Sequence, residues 1–451
     1  MAPMRVTLDE LDADPHPVLA RLRSQAPAVW VPALGSWLVT GYDAAVTVLR
    51  DARTFTVDDP RFSTAKVVGP SMLSLDGAPH SRHRGPFTRP FRHDDVHARL
   101  ASFTGAEAGR LVAAIEPLGS AELRRTVAGP LAVAVMAQML GLGHTDPAQV
   151  LAWYDGIVAA VQAEAGGASQ SAAGPEPAAS GGRTEFAELS ARLHEIIASA
   201  PGSLLAEVTG APAEAQRAEA RLAEAEAISN AAVLLFGGIE TTEGMIANAM
   251  LHLLSSPGQL SLVLADPGLV PAAVEESLRL EPAAAVVDRY ATRDASLGGA
   301  RICSGDQVTV SLAGANRDPA VFGDPDRFDL RRPNVAKHLA FAHGPHFCLG
   351  AHLARLEAQV AVATMLARLP GLRLDVATAP RGLVFRKPPS LHVRWEHASS
   401  QAELPEANSV STRYPPERAH YSHITAVIHR RMHSLSTRHS AQFPECMNTV
   451  T

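Results

Sequence analysis

The sequence predicts a mainly α-helical fold carrying small β-sheets. Three observations point to it. Apolar residues recur at three- and four-residue spacing over long stretches, as in LASFTGAEAGRLVAAI (100–115) and LAVAVMAQMLGL (131–142), which is the period of an amphipathic helix. The alternating, turn-bounded segments of strand type are short and scattered. Hydrophobic residues make up 46% of 451, the level of a globular core large enough for one big domain.

Taken in order, residues 15–55 read as a helix, a hairpin and a second helix from Tyr42. The hairpin pairs Ala28–Val31 with Trp37–Thr40 around Pro32 and Gly35. Residues 95–165 read as helical almost throughout. Residues 164–182 are rich in Gly, Ala and Ser and have no period, which predicts a flexible loop between two helices. The helical pattern resumes at Thr184 and runs, with breaks near Pro201 and Gly210, to Leu254. A further helix covers Pro271–Leu280. Strand-type segments follow at Ala291–Gly298 and Gln307–Leu312, then a helix from Leu349 to Leu369. Leu372–Val376, Leu383–Arg386 and Leu391–Trp395 read as three closing strands. These elements place one domain over residues 1–396. The remainder, 397–451, holds six of the nineteen histidines without a sustained pattern and is expected to be a disordered tail. There only His429 and His433 stand at the i, i+4 spacing of a metal-binding face on an apolar stretch.

Composition excludes several partners. A net charge of -6 argues against nucleic acid, which favours a basic face. No run of about 18 uncharged apolar residues exists, so no membrane span is expected. The N-terminus is polar and acidic where a secretory leader needs an apolar run. Cys303, Cys348 and Cys446 are the three cysteines, too few for a disulfide framework, and a cytoplasmic setting is expected. The basic residues are nearly all arginine; Lys66, Lys337 and Lys387 are the only lysines.

The most informative segment is FAHGPHFCLGAHLARLE, 341–357. A lone cysteine is ordinarily a small buried hydrophobe. Here Gly344 and Gly350 flank Cys348, and Pro345 stiffens the approach, so backbone can come close to a flat ligand. A helix follows, and a sulfur at a helix N-terminus is favoured as thiolate, the form an iron ligand requires. In LLFGGIETTEGMIAN (234–248), Gly237 and Gly238 interrupt an apolar helix at about 1 kcal/mol each. Glycines allowing close helix packing would account for that alone. Glu240, Thr241 and Thr242 then place an acid and two hydroxyls in the same apolar stretch, where a carboxylate is costly without a partner or a use. In EESLRL (275–280), Glu276 and Arg279 stand at i, i+3, in isolation an ordinary ion pair.

Together these segments resemble the cytochrome P-450 family over roughly residues 10–396. Phe341, Gly344, His346, Cys348 and Gly350, followed by Leu353-Ala354-Arg355, are similar to the family's haem-binding loop; Ala342 departs from it, standing where the family commonly has glycine. The resemblance implies haem b, with Cys348 as its iron ligand, held between a long distal helix and the cysteine loop with its proximal helix. It makes Gly237 part of an oxygen groove and Glu240 and Thr241 the acid–alcohol pair that delivers protons. Glu276, Arg279 and Arg327 would lock the meander before the loop. His80, Arg84, Arg289 and His346 would hold the haem propionates, arginine offering a planar fork for carboxylates. GANRDP (314–319) matches as a structural turn.

The implied activity is O2- and NAD(P)H-dependent hydroxylation or epoxidation of a hydrophobic small molecule in secondary metabolism. The implied partners are a ferredoxin and its reductase, and the expected state is a monomer. No flavin domain or G-x-G-x-x-G motif is present. Docking is expected on the cysteine face through arginines such as Arg82, Arg92 or Arg355, and residues 164–182 fall where the family has its access lid. A peroxide-driven enzyme, a member carrying out desaturation, ring coupling or nitration, and a non-catalytic haem sensor stay open as alternatives. The intact Glu240–Thr241 pair speaks against the first.

Overall fold

The computed structural model describes residues 6–167, 178–210 and 221–396. It is mainly α-helical with three small sheets. The largest sheet orders its strands Ala28–Val31, Ser36–Val39, Gln307–Ser311, Val286–Ala291 and Phe55–Thr56. The first hairpin is antiparallel, with Trp30 opposite Trp37. Ser36–Val39 pairs in parallel with Gln307–Ser311. Alternation along one strand sends neighbours to opposite sides. Val39 joins Val48, Leu49 and Val310 on the face covered by the helix Tyr42–Arg50, whereas Leu38 joins Leu19 and Leu22 of the helix His16–Gln25 on the other face.

The main core lies among the helices. The 31-residue helix Glu224–Leu254 is at its centre, packed on the helices Gly129–Met139, Val270–Leu280 and Ala351–Arg368 in a cluster that includes Leu235, Ile239, Leu131, Val274 and Val362. Its start is held by Glu226, whose carboxylate accepts from the Ala223 N–H at 2.9 Å, satisfying a donor that a helix N-terminus leaves open. No helix among the described residues is long and apolar enough to cross a membrane.

Most of the expected elements form, and three differ. The helix Pro147–Gly167 continues into the expected loop, and the next helix begins at Ala178. Alanine, the best helix former, lets both run on; residues 168–177 and the tail 397–451 lie outside the described residues. Leu383–Arg386 forms no strand; only Phe385 makes an isolated bridge, with Ala284. A π-type turn at Arg124–Ala128 and a short strand at Ser120–Glu122 interrupt the helical stretch, with no clear signal in the local sequence.

Candidate active site

Three backbone bonds shape the cysteine loop. The Ala342 N–H donates to Leu339 O (2.8 Å), Phe347 N–H to Gly344 O (3.0 Å) and Cys348 N–H back to Phe341 O (2.9 Å). Gly344 has φ +71°, and a Cβ there would overlap the Leu49 carbonyl, so the loop can seat on the helix Tyr42–Arg50 only with glycine at that position. Ala342 has φ +59°, a left-handed conformation that costs an L-residue about 1 kcal/mol. Gly350 has an ordinary φ of −81°. Its value is space: the nearest atom to a Cβ there would be Cys348 Sγ at 4.0 Å. Phe341 is buried beneath the Arg355 guanidinium, 4.5 Å from its ring centroid.

Cys348 is half-buried in this loop. Burial pushes its thiol up, and the Gly350 N–H, Arg84 and Arg355 only partly offset that. The helix that starts at Ala351 adds its positive end to the groups that favour a thiolate. A bound metal ion deprotonates its thiol ligand outright.

The residues expected around the cofactor come together beside the loop. On the helix Gly77–Thr88, His80 and Arg84 stand at i, i+4. Arg84 Nη2 donates to the Phe347 carbonyl at 2.6 Å. The His80 ring is 4.4 Å from the His346 ring, and burial, with the charges of His346 and Arg84, lowers His80 to about 4. His346 Nε2 donates to Asp76 Oδ1 at 2.8 Å. Asp76 also accepts from Thr56 Oγ1 (2.6 Å) and the Val57 N–H (2.8 Å).

Arg289, on the strand Val286–Ala291, is 5% exposed and donates to its neighbour's carbonyl, Asp288 O, at 2.7 Å. Burial lowers it to about 10. Neither Arg84 nor Arg289 makes an ion pair with a carboxylate among the described residues. His80 Nε2 is buried with no partner. A cleft of about 180 Å³ lined by Leu19, Leu34, Asp288 and Leu383 takes no part: Asp288 precedes Arg289 on the strand and so points to the opposite sheet face.

The scaffold behind the loop corrects one assignment. Glu276 and Arg279 form a fully buried bidentate pair (2.8 and 2.9 Å). The third side chain is Arg332, whose Nε donates to Glu276 at 2.9 and 3.1 Å. Arg327 is exposed and supplies only its carbonyl, to Arg279 and Arg332 (3.0 and 2.9 Å). The chain turns at 324–332, so the residue that faces inward is the later arginine. Next door, Glu275 accepts from Arg355 (2.6 and 3.0 Å) and sits 3.0 Å from His338 Nε2; burial opposes ionisation there, but these partners hold its carboxyl at about 2.

On the long helix, Gly237 is exposed in mid-helix, and a Cβ on it would meet nothing within 4 Å. Thr241 shares that open face at i+4, its Oγ1 donating to Gly237 O at 2.5 Å. Glu240 points elsewhere, as adjacent helical residues must. Its carboxylate accepts from Tyr154 Oη (2.6 Å) and Lys387 Nζ (2.7 Å). Asp76, Glu275, Arg332, Tyr154 and Lys387 were not evident from motifs; Lys387 is one of three lysines, a rarity that does not choose among them.

Comparison with known proteins decides the family. The family model described as Cytochrome P450 matches residues 264–371. The cytochrome P450 monooxygenase PikC of Streptomyces venezuelae is 37% identical over 402 residues, 85% of this chain and 91% of that protein. The chain belongs to the cytochrome P450 family. Mycinamicin IV hydroxylase/epoxidase of Micromonospora griseorubida is 32% identical, covering 80% of this P450 and 89% of the relative. The crystal structure of CalO2 superposes with a TM-score of 0.77 at 28% identity, over 87% and 99% of the two chains.

This P450 is therefore a haem-thiolate monooxygenase, and family membership implies a haem cofactor. Its residues fit one. Two guanidinium groups without carboxylate partners and a buried imidazole nitrogen with no partner are costly by themselves. A flat ligand carrying two carboxylates, set over a cysteine with free space at Gly350, would satisfy all three.

Proposed function

We propose that this P450 binds haem b through Cys348 and hydroxylates or epoxidises a hydrophobic small molecule of secondary metabolism. Dioxygen is the oxidant, and electrons come from NAD(P)H through a ferredoxin and its reductase; the enzyme acts as a cytoplasmic monomer. The observation that carries this reading is the convergence, beside the half-buried Cys348, of His80, whose Nε2 has no hydrogen-bond partner, with Arg84 and Arg289, which donate to backbone carbonyls and have no carboxylate ion pair among the described residues. The names of the monooxygenase and hydroxylase/epoxidase relatives support the reaction class.

Bound there, haem supplies reductive activation of dioxygen, with the thiolate favouring O–O cleavage. The chain does the rest. Arg84, Arg289, His80 and His346 hold and orient the two carboxylates. Glu276, Arg279 and Arg332 pin the meander that presents the loop. The face opened by Gly237 leaves room for small reactants. Thr241 Oγ1 can donate and accept there; Glu240, turned away from it onto Tyr154 and Lys387, would reach it through bridging water and not by direct contact. Arg82 is engaged by Glu226 (2.8 Å) and Arg355 by Glu275, which leaves Arg92, exposed and with no ion pair among the described residues, as the candidate for ferredoxin docking. First-electron transfer should slow with salt; insensitivity to ionic strength would count against docking by charge.

The ferrous–CO spectrum of the purified protein tests the assignment. It should show thiolate ligation and lose it in Cys348→Ala. A substrate-induced spin shift with NAD(P)H-dependent oxygen uptake would support the enzyme reading. Oxygen uptake unchanged by every ligand that shifts the spin state would defeat it.

A further inference from the structure

Glu240 and Glu243 stand at i, i+3 on one face of the long helix, and Lys387 Nζ lies between them, 2.7 Å from Glu240 Oε1 and 2.6 Å from Glu243 Oε2. Gly244 is on the same face. A Cβ there would press on Ala283 Cβ at 3.0 Å and make ordinary contact with Lys387 Cβ and Cδ at 3.5 and 3.6 Å, so the lysine stem lies directly against this glycine. Glu243 also accepts from Arg124 Nε at 2.8 Å. Arg124 Nη1 returns to the chain next to the lysine, donating to the carbonyls of Pro388 (3.0 Å) and Pro389. The circuit is closed: Lys387, Glu243, Arg124, and the backbone just after Lys387. Lysine usually keeps its charged head in water; this one is 12% exposed, held between two carboxylates and aimed at the acid of the proposed relay.

We propose that Lys387 is the positioning residue of the proton relay, holding the Glu240 carboxylate ionised and fixed while Tyr154 occupies its second oxygen. The inference rests on the reading of Glu240 and Thr241 as that relay. The groups around Glu240 are Lys387 from the C-terminal loop, Tyr154 and Asp155 from the helix Pro147–Gly167, Arg124 from the π-type turn, and Glu243 on its own helix; Arg125 acts on Asp155. Burial alone would raise the Glu240 carboxyl, but Lys387 and Tyr154 outweigh it and hold it below its ordinary value. Removing the lysine charge leaves burial, which favours the protonated acid, opposed only by the Tyr154 hydrogen bond and the Arg124 charge, so the carboxyl rises. A relay that needs the carboxylate then fails at a higher pH. A nearby cation is worth about 1–3 pH units to a carboxylate, so the acid limb should move upward by about one unit or more.

The test uses the haem-containing Lys387→Met and Lys387→Arg variants, with Lys387→Gln if the methionine variant does not fold. Two quantities are followed against pH: product formed per NAD(P)H consumed, and the infrared C=O band of the Glu240 carboxyl in the resting ferric protein, assigned by its absence in Glu240→Gln. The expected result is that both acid limbs move up together in Lys387→Met, substrate affinity is kept, and Lys387→Arg stays near wild type. An infrared titration unmoved in Lys387→Met, or moved as far in Lys387→Arg, overturns the proposal. If Glu240→Gln leaves the product yield per electron untouched, the relay reading itself falls, whatever Lys387 does.

Discussion

Two carboxylate networks, one behind the cysteine loop and one on the long helix, differ in their cations: two arginines in the first, a lysine joined by one arginine in the second. Behind the cysteine loop, Glu276 is clamped by Arg279 and Arg332 at 0–6% side-chain exposure, and the arginines also donate to the carbonyls of Asn316, Gly323, Pro325 and Arg327. On the long helix, Glu240 and Glu243 share Lys387 at 11–21% exposure. Guanidinium is a rigid, permanently charged fork; ammonium is a compact charge with rotatable donors. The first network suits a part that must never change state. The second suits one in which a proton is held and moved. Both sets of acids begin as Glu in a helical run, and the partners, contributed by distant segments, set their roles.

Breaking each network separates the two roles. The largest effect is expected for Glu276→Ala, which strands two buried guanidinium groups at about 3–5 kcal/mol, read as a lower urea midpoint with loss of haem content. A cost under about 1 kcal/mol would end the scaffold reading. Glu240→Gln should leave the urea midpoint nearly unchanged but lower productive turnover by about 100-fold, the low end of general acid–base contributions. A parallel loss of stability would make the second network a scaffold too.

Smaller changes sharpen the boundary. Ala342→Gly should stabilise the loop by about 1 kcal/mol by relieving its left-handed backbone, less what the freer unfolded chain takes back; a loss of stability would show that the alanine methyl has a packing role. Arg327→Met should stay within about 0.5 kcal/mol of wild type, as an exposed side chain does, while Arg332→Met should not. Equal effects would undo the placement of Arg332 as the third member.

What could be read beforehand divides along the same line. Local pattern carried the helices, the hairpin at Ala28–Thr40 and the i, i+3 pair Glu276–Arg279, because a helix puts such residues side by side by itself. It also carried Gly237 and Thr241, one turn apart on one face. It misplaced Arg327 for Arg332, because two arginines five residues apart in an irregular meander are equivalent until the backbone turns. It treated Gly350 like Gly344, because composition does not reveal the sign of φ.

By itself, then, the chain determined its helical architecture, the cysteine loop and the types of chemical group available, since these depend on neighbours within one or two turns. Only the tertiary structure decided which cation meets which acid. Lys387 reaches Glu240 across 147 positions of sequence, and Arg124 reaches Glu243 across 119. Nothing in local spacing encodes those meetings. They depend on desolvation and packing that exist only once the long helix, the π-type turn and the C-terminal loop have closed on one another.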